Sequence, residues 1–140
     1  MVLPIVTPTD RSLPQALYYH RLWLALGWFW LVLVAVLSLL PVEHPEIEMS
    51  YLDKVEHALA YLSLTVWFCA LYPETRLRAA VILGIALYGT LLEYLQLFTV
   101  YRVFDYADIL ASLVGVTGGL LLAGTRVGEF MLFVERRRMA

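Results

Sequence analysis

From Leu22 to Leu40 the chain carries no charged residue. A helix of roughly 19 residues rising 1.5 Å each matches the ~30 Å hydrocarbon core of a bilayer. Trp23, Trp28 and Trp30 add aromatic weight toward its first half, as membrane-interface belts do. Pro41 and Pro45 then stop it, because proline lacks the donor a continuing helix needs. The run begins after about twenty residues, exceeds the apolar core of a secretory signal, and has no small-residue cleavage site near Leu40 to Pro45, so it is expected to be a retained span.

The remainder has the same character. Of 140 residues 61% are hydrophobic and 16% charged, with a mean hydropathy of +0.75, which is more apolar surface than a soluble domain of this size can bury. The net charge of -2 and the short, scattered basic groups exclude a nucleic-acid stripe. Cys69 is the single cysteine and lies in an apolar run, so neither a disulfide nor a thiolate metal site is available and a packing role is expected.

Hydropathy and punctuation predict helix 1 over Leu22 to Leu40, helix 2 over about Lys54 to Tyr72, helix 3 over about Ala79 to Val100 and helix 4 over Ile109 to Thr125. Pro73 and a short connector make helices 2 and 3 antiparallel neighbours. The expected fold is an all-α membrane protein, a four-transmembrane-helix bundle. Residues 1–21 form a proline-punctuated lead-in, 22–125 the bundle, and 126–140 a basic tail into which helix 4 can extend as an interfacial helix. Arg11, Arg21, Arg76, Arg78, Arg126, Arg136, Arg137 and Arg138 fall on one side of this arrangement and only Lys54 and Arg102 on the other. The positive-inside rule then places both termini in the cytoplasm.

The polar residues within the apolar segments gather at the outer ends of helices 2, 3 and 4. Asp53, His57 and Tyr61 follow i, i+4, i+8 spacing and share one helical stripe. Gly89, Glu93 and Gln96 follow i, i+4, i+7, with Glu93 about 10 Å below the helix exit. Asp105, Asp108, Ser112, Gly115 and Gly119 share a stripe on helix 4, with Asp105 or Asp108 placed to cap its start. Tyr61, Glu93 and Ser112 are expected to meet at similar depth. A carboxyl in a span must face the bundle and find a partner, here Arg102, Lys54 or His57, or a watery cavity. The alternative is that Glu93, Gln96 and Tyr61 only staple helices by hydrogen bonds. Ala111, Gly115, Gly119 and Ala123 form a small-xxx-small stripe, expected to pack within the bundle, with a homodimer or membrane-protein partner face as the alternative. No cofactor is expected, and no metal, since one histidine among scattered carboxylates lacks the several His or Cys ligands of a zinc site.

Three linked motifs run Asp53-Lys54-x-x-His57-x-x-x-Tyr61, Gly89-x-x-x-Glu93-x-x-Gln96 and Arg102-x-x-Asp105-x-x-Asp108-x-x-x-Ser112-x-x-Gly115. In order and spacing they resemble the VanZ-like family over residues 53–119. Members usually carry Asn where Ser112 stands here, which shortens the side chain and removes an amide donor. The resemblance implies a small multi-pass protein of the bacterial cytoplasmic membrane whose namesake lowers sensitivity to the glycopeptide teicoplanin.

The leading functional expectation is binding or occlusion of an anionic envelope ligand or glycopeptide at the outer face. Lys54 and Arg102 would receive the charge while Glu93, His57 and the aspartates shape the pocket. The second is an enzyme acting on a lipid-linked or peptidoglycan precursor, with Glu93 or His57 as general base and Arg102 or Lys54 stabilising negative charge. Against it, the chain has no serine or cysteine elbow, phosphate loop or paired-histidine motif. The third is a structural subunit docking through helix 4. Membrane lipids are expected partners throughout, with Arg136 to Arg138 at anionic headgroups.

Overall fold

A computed structural model describes residues 17–40, 50–100 and 104–139. Every regular element among these residues is a helix. The helices are α1 (His20–Leu39), α2 (Ser50–Leu71), α3 (Thr75–Gln96) and α4 (Tyr106–Ala123), followed by a 3-10 turn (Arg126–Glu129) and a short α5 (Phe130–Met139). Arg11, Pro41, Pro45 and Arg102 lie outside the described residues.

Three of these, α1, α3 and α4, are long and apolar enough to cross a membrane. Their outward faces carry large apolar side chains that stand exposed among the described residues, such as Phe29, Val114 and Leu121 at 65%, 66% and 70% exposure. Hydrocarbon is the solvent such faces suit. α2 is less apolar along its length, yet its 22 residues reach about 33 Å. It is the central helix, burying Tyr61, Leu64, Thr65, Val66, Phe68, Cys69 and Leu71. A helix wrapped by its neighbours tolerates polar residues that would be costly against lipid. Cys69 is fully buried, in keeping with packing.

α2 and α4 run parallel and lie closest together. A Cβ on Gly115 would overlap the carbonyl of Ala58, and one on Gly119 would come within 2.6 Å of the Leu62 carbonyl oxygen. At Gly115 and Gly119 the small-residue stripe therefore packs against α2 inside the bundle. α1 runs antiparallel to α2. Trp67 Nε1–H donates to the Trp23 carbonyl at 3.0 Å near one end, and Trp30 Nε1–H to Ser63 Oγ at 3.2 Å further along. α3 is tied to α1 by Tyr88 Oη–H donating to the Leu31 carbonyl at 2.6 Å and by Gln96.

Each of the last three long helices begins earlier than hydropathy predicts. α3 begins at Thr75, directly after Glu74 in extended conformation, so Arg76 and Arg78 form its first turn rather than a connector. Its far end closes at Gln96, where Thr99 turns back to hydrogen-bond the Gln96 carbonyl through both its N–H and its hydroxyl. α4 starts at Tyr106 because the Asp105 side chain accepts the Ala107 N–H at 2.8 Å. Apolar windows miss these polar first turns, whose orphan N–H groups favour capping side chains.

The C-terminal segment is not a loose extension of α4. The chain breaks at Gly124, Thr125 Oγ1 caps the 3-10 turn, and α5 folds back under α1 and α2 with Met131 and Glu135 buried. Glu135 accepts from the N–H groups of Tyr18 and Tyr19 at 2.8 and 2.9 Å and from Trp23 Nε1–H at 2.9 Å. A carboxylate from the end of the chain thus caps its first helix. Arg21, Arg76, Arg78, Arg126 and Arg136 to Arg138 all fall at this end, and among the described residues Lys54 is the lone Lys or Arg at the other.

Candidate functional site

The polar cluster forms at the end opposite Glu135, where α2 and α4 begin and α3 finishes. Lys54 reaches across from α2 to α4, with Nζ 2.7 Å from Asp105 Oδ2 and 3.1 Å from Asp108 Oδ1. Asp105 has 45% of its side chain exposed and Asp108 only 6%, so one carboxylate faces the surface and the other the bundle. The ammonium beside it, aided by the Ala107 N–H, holds the Asp105 carboxyl below its ordinary range.

Glu93 is 2% exposed. Its Oε1 accepts the backbone N–H of Asp105 at 2.9 Å, so among the described residues its hydrogen-bond partner is the start of α4. Of the basic partners expected for Glu93, Lys54 goes elsewhere, His57 lies within electrostatic reach, and Arg102 lies outside the described residues. Lys54 is engaged by the two aspartates, and the peptide N–H left open at the α4 entrance offers Glu93 a donor without a second buried charge.

His57 sits one turn beyond Asp53. Its Nδ1 lies 2.9 Å from the Asp53 carbonyl oxygen and 3.9 Å from Asp53 Oδ1. Since a carbonyl can only accept, Nδ1 is the donor in that bond. The imidazole stacks toward Tyr61 with centroids 6.5 Å apart. Tyr61 in turn lies flat against Gly89, where a Cβ would come within 2.9 Å of the ring. One nitrogen of His57 and one oxygen each of Asp53 and Asp108 lie within 4.8 Å of one another. Glu93 is within electrostatic reach of all three.

The other expected members play local roles. Ser112 is buried, and its hydroxyl donates to the Asp108 carbonyl at 2.8 Å on its own helix. Gln96 donates through Nε2 to both the carbonyl and Oγ of Ser38, each at 3.0 Å, which makes it a staple between α3 and α1. Sequence reasoning missed both Ser38 and Glu135. Glu135 stands beside three arginines and so passes for part of a basic tail. Its i, i+4 relation to the buried Met131 was the available signal.

A cavity of about 670 Å³ opens between α1 and α2 and ends at this cluster. Its walls are mostly apolar, including Trp30, Val34, Leu37 and Leu59, while Asp53, Glu56 and His57 supply the polar end.

No family model matches the chain, and no solved structure matches it. An uncharacterized protein of Schizosaccharomyces pombe is 37% identical over 81 residues, covering 56% of this chain and 50% of that protein. The chain thus spans about half the length of this curated relative.

Proposed function

We propose that this is a multi-pass membrane protein in which α1 to α4 all span the bilayer, and that it binds an amphiphile from the membrane. The ligand's apolar part lies in the groove between α1 and α2 and its headgroup at Asp53, Lys54 and His57. The observation that carries the proposal is the groove itself, apolar along its length and polar at one end, the form expected of a lipid site. The basic residues concentrated at the Glu135 end support a cytoplasmic placement of that end, which puts the headgroup site at the opposite membrane face. The three sequence motifs support the VanZ-like reading and, with it, a bacterial envelope. The fission-yeast relative is eukaryotic, which favours a lipid common to all membranes over a glycopeptide or a peptidoglycan precursor. Lys54 is neutralised by two aspartates, so an anionic headgroup needs Arg102 or another cation besides it.

Photolabelling in nanodiscs tests the proposal, using a phospholipid bearing a photoreactive acyl chain. Labelling should concentrate on Trp30, Val34, Leu59 and Ala60, and Ala60→Phe should suppress it there. Labelling spread evenly over the outward faces of α1, α3 and α4 would refute a specific site. In a host lacking its own copy, expression should alter detergent or glycopeptide sensitivity, and the groove variant should abolish the effect at unchanged protein level.

A further inference from the structure

The end of the groove that receives the headgroup is acidic. Asp53 and Glu56 line it, Glu93, Asp105 and Asp108 lie beside Asp53 in the same cluster, and Lys54 is the one Lys or Arg at this end among the described residues. Two of these carboxylates, Asp53 and Asp108, come together with His57. Asp53 and His57 stand one helical turn apart on α2, an i, i+4 spacing that lets two side chains of one helix grip a single ion. Asp108 approaches from the first turn of α4. The three present one nitrogen and two oxygens within 4.8 Å of one another.

Two further observations make this more than a collection of carboxylates. The Nδ1 bond to the Asp53 carbonyl fixes the orientation of the imidazole, as the hydrogen bonds behind metal-binding histidines do. The close packing of Gly115 on Ala58 holds α4 against α2, so Asp108 is presented by a rigid pair of helices and not by a loop. The groove supplies an entry path, since Asp53 and His57 line its end.

We propose that Asp53, His57 and Asp108 form a binding site for a divalent transition-metal ion. One imidazole and two carboxylates suit Zn²⁺ or Mn²⁺ better than a soft ion. Three protein ligands leave at least one position for water or a ligand oxygen. Lys54 at 3.1 Å from Asp108 competes with the ion for that carboxylate and weakens the site. Filled by a dication, the acidic end of the groove becomes an acceptor for a phosphate headgroup. That consequence alone rests on the amphiphile reading.

The test uses the full chain in nanodiscs, stripped with chelator and titrated with Mn²⁺ while free ion is read by electron paramagnetic resonance, and with Zn²⁺ by calorimetry. One saturable site per chain is expected. His57→Gln, Asp53→Asn and Asp108→Asn should each weaken it by more than about tenfold, whereas Glu74→Gln at the far end leaves it unchanged. On the unmutated protein, pulsed resonance of bound Mn²⁺ should show coupling to one imidazole nitrogen, a result that does not depend on any variant folding. Absence of a saturable site, absence of that coupling, or unchanged affinity in His57→Gln overturns the proposal. Photolabelling with and without Zn²⁺ is read separately. An ion that binds without altering phospholipid labelling removes the headgroup consequence and leaves the metal site standing.

Discussion

Glu93, buried on α3, accepts the backbone N–H of Asp105, the residue that caps α4, at 2.9 Å. Glu93 holds the start of α4 while Asp105 both caps that helix and takes Lys54 from α2. Three helices therefore meet through one peptide group and two carboxylates.

Glu93→Gln keeps an oxygen for the Asp105 N–H, and it should fold with a stability close to that of the parent. Glu93→Ala leaves a donor at the α4 entrance without its partner and is expected to cost about 1–3 kcal/mol. Thermal unfolding in a single detergent, compared across the two variants, checks the difference. Equal losses in both would mean that the negative charge, not the acceptor, is what α4 requires.

Glu135 closes the other end of the molecule, where three N–H donors meet its carboxylate. Glu135→Ala should loosen both α1 and α5 and lower stability by about 1–2 kcal/mol, the scale of a lost helix cap. Hydrogen exchange should show the loss at the Tyr18 and Tyr19 amides, while Lys54 and its neighbours on α2 stay protected.

The same carboxylate predicts an acid limb. Burial acts to raise the Glu135 carboxyl, but the Tyr19, Tyr18 and Trp23 donors outweigh it and leave it below the ordinary value of 4.5. Asp105 is likewise held below its ordinary 3.8 by Lys54 and the Ala107 N–H. A depressed folded value means that the stabilisation is complete above the ordinary carboxyl range. It is lost as pH falls through the lower folded values. Melting temperature should thus be flat near neutrality and fall in acid. Glu135→Gln should lower the plateau and shrink the acid limb without removing the share that belongs to Asp105.

Two glycines on different helices should respond in opposite directions. Gly119→Ala would drive a methyl to within 2.6 Å of the Leu62 carbonyl oxygen and 2.7 Å of Thr65 Cβ, and separating α4 from α2 is expected to cost about 1–3 kcal/mol. Around Gly84 on α3 there is nothing within 4 Å of an added Cβ. Gly84→Ala should be neutral or stabilising by up to about 1 kcal/mol. Thermal unfolding of the pair tests whether the small-residue stripe is an internal seam. A dimer interface at Gly119 would instead show itself as a change in mass by light scattering.

Much of this was legible in the residues. Charge-free runs and proline punctuation mark α1, α3 and α4 because lipid demands continuous apolar length, a constraint that acts residue by residue along the chain. Asp53, His57 and Tyr61 on one stripe of α2, and the capping of α4 by Asp105, follow from helical period and local hydrogen bonding alone. Pairings between helices did not follow. That Glu93 takes a peptide N–H, that Lys54 goes to Asp105 and Asp108, that Gln96 clasps Ser38 and that Glu135 caps α1 are choices among several partners of equal chemistry. The sequence by itself determined which segments suit a membrane and which residues share a helical face, since both depend on spacing within one segment. Only the tertiary structure decided which faces meet, because the approach of α4 to α2 at Gly115 and Gly119 sets the distances that bring Asp108 to Lys54 and His57.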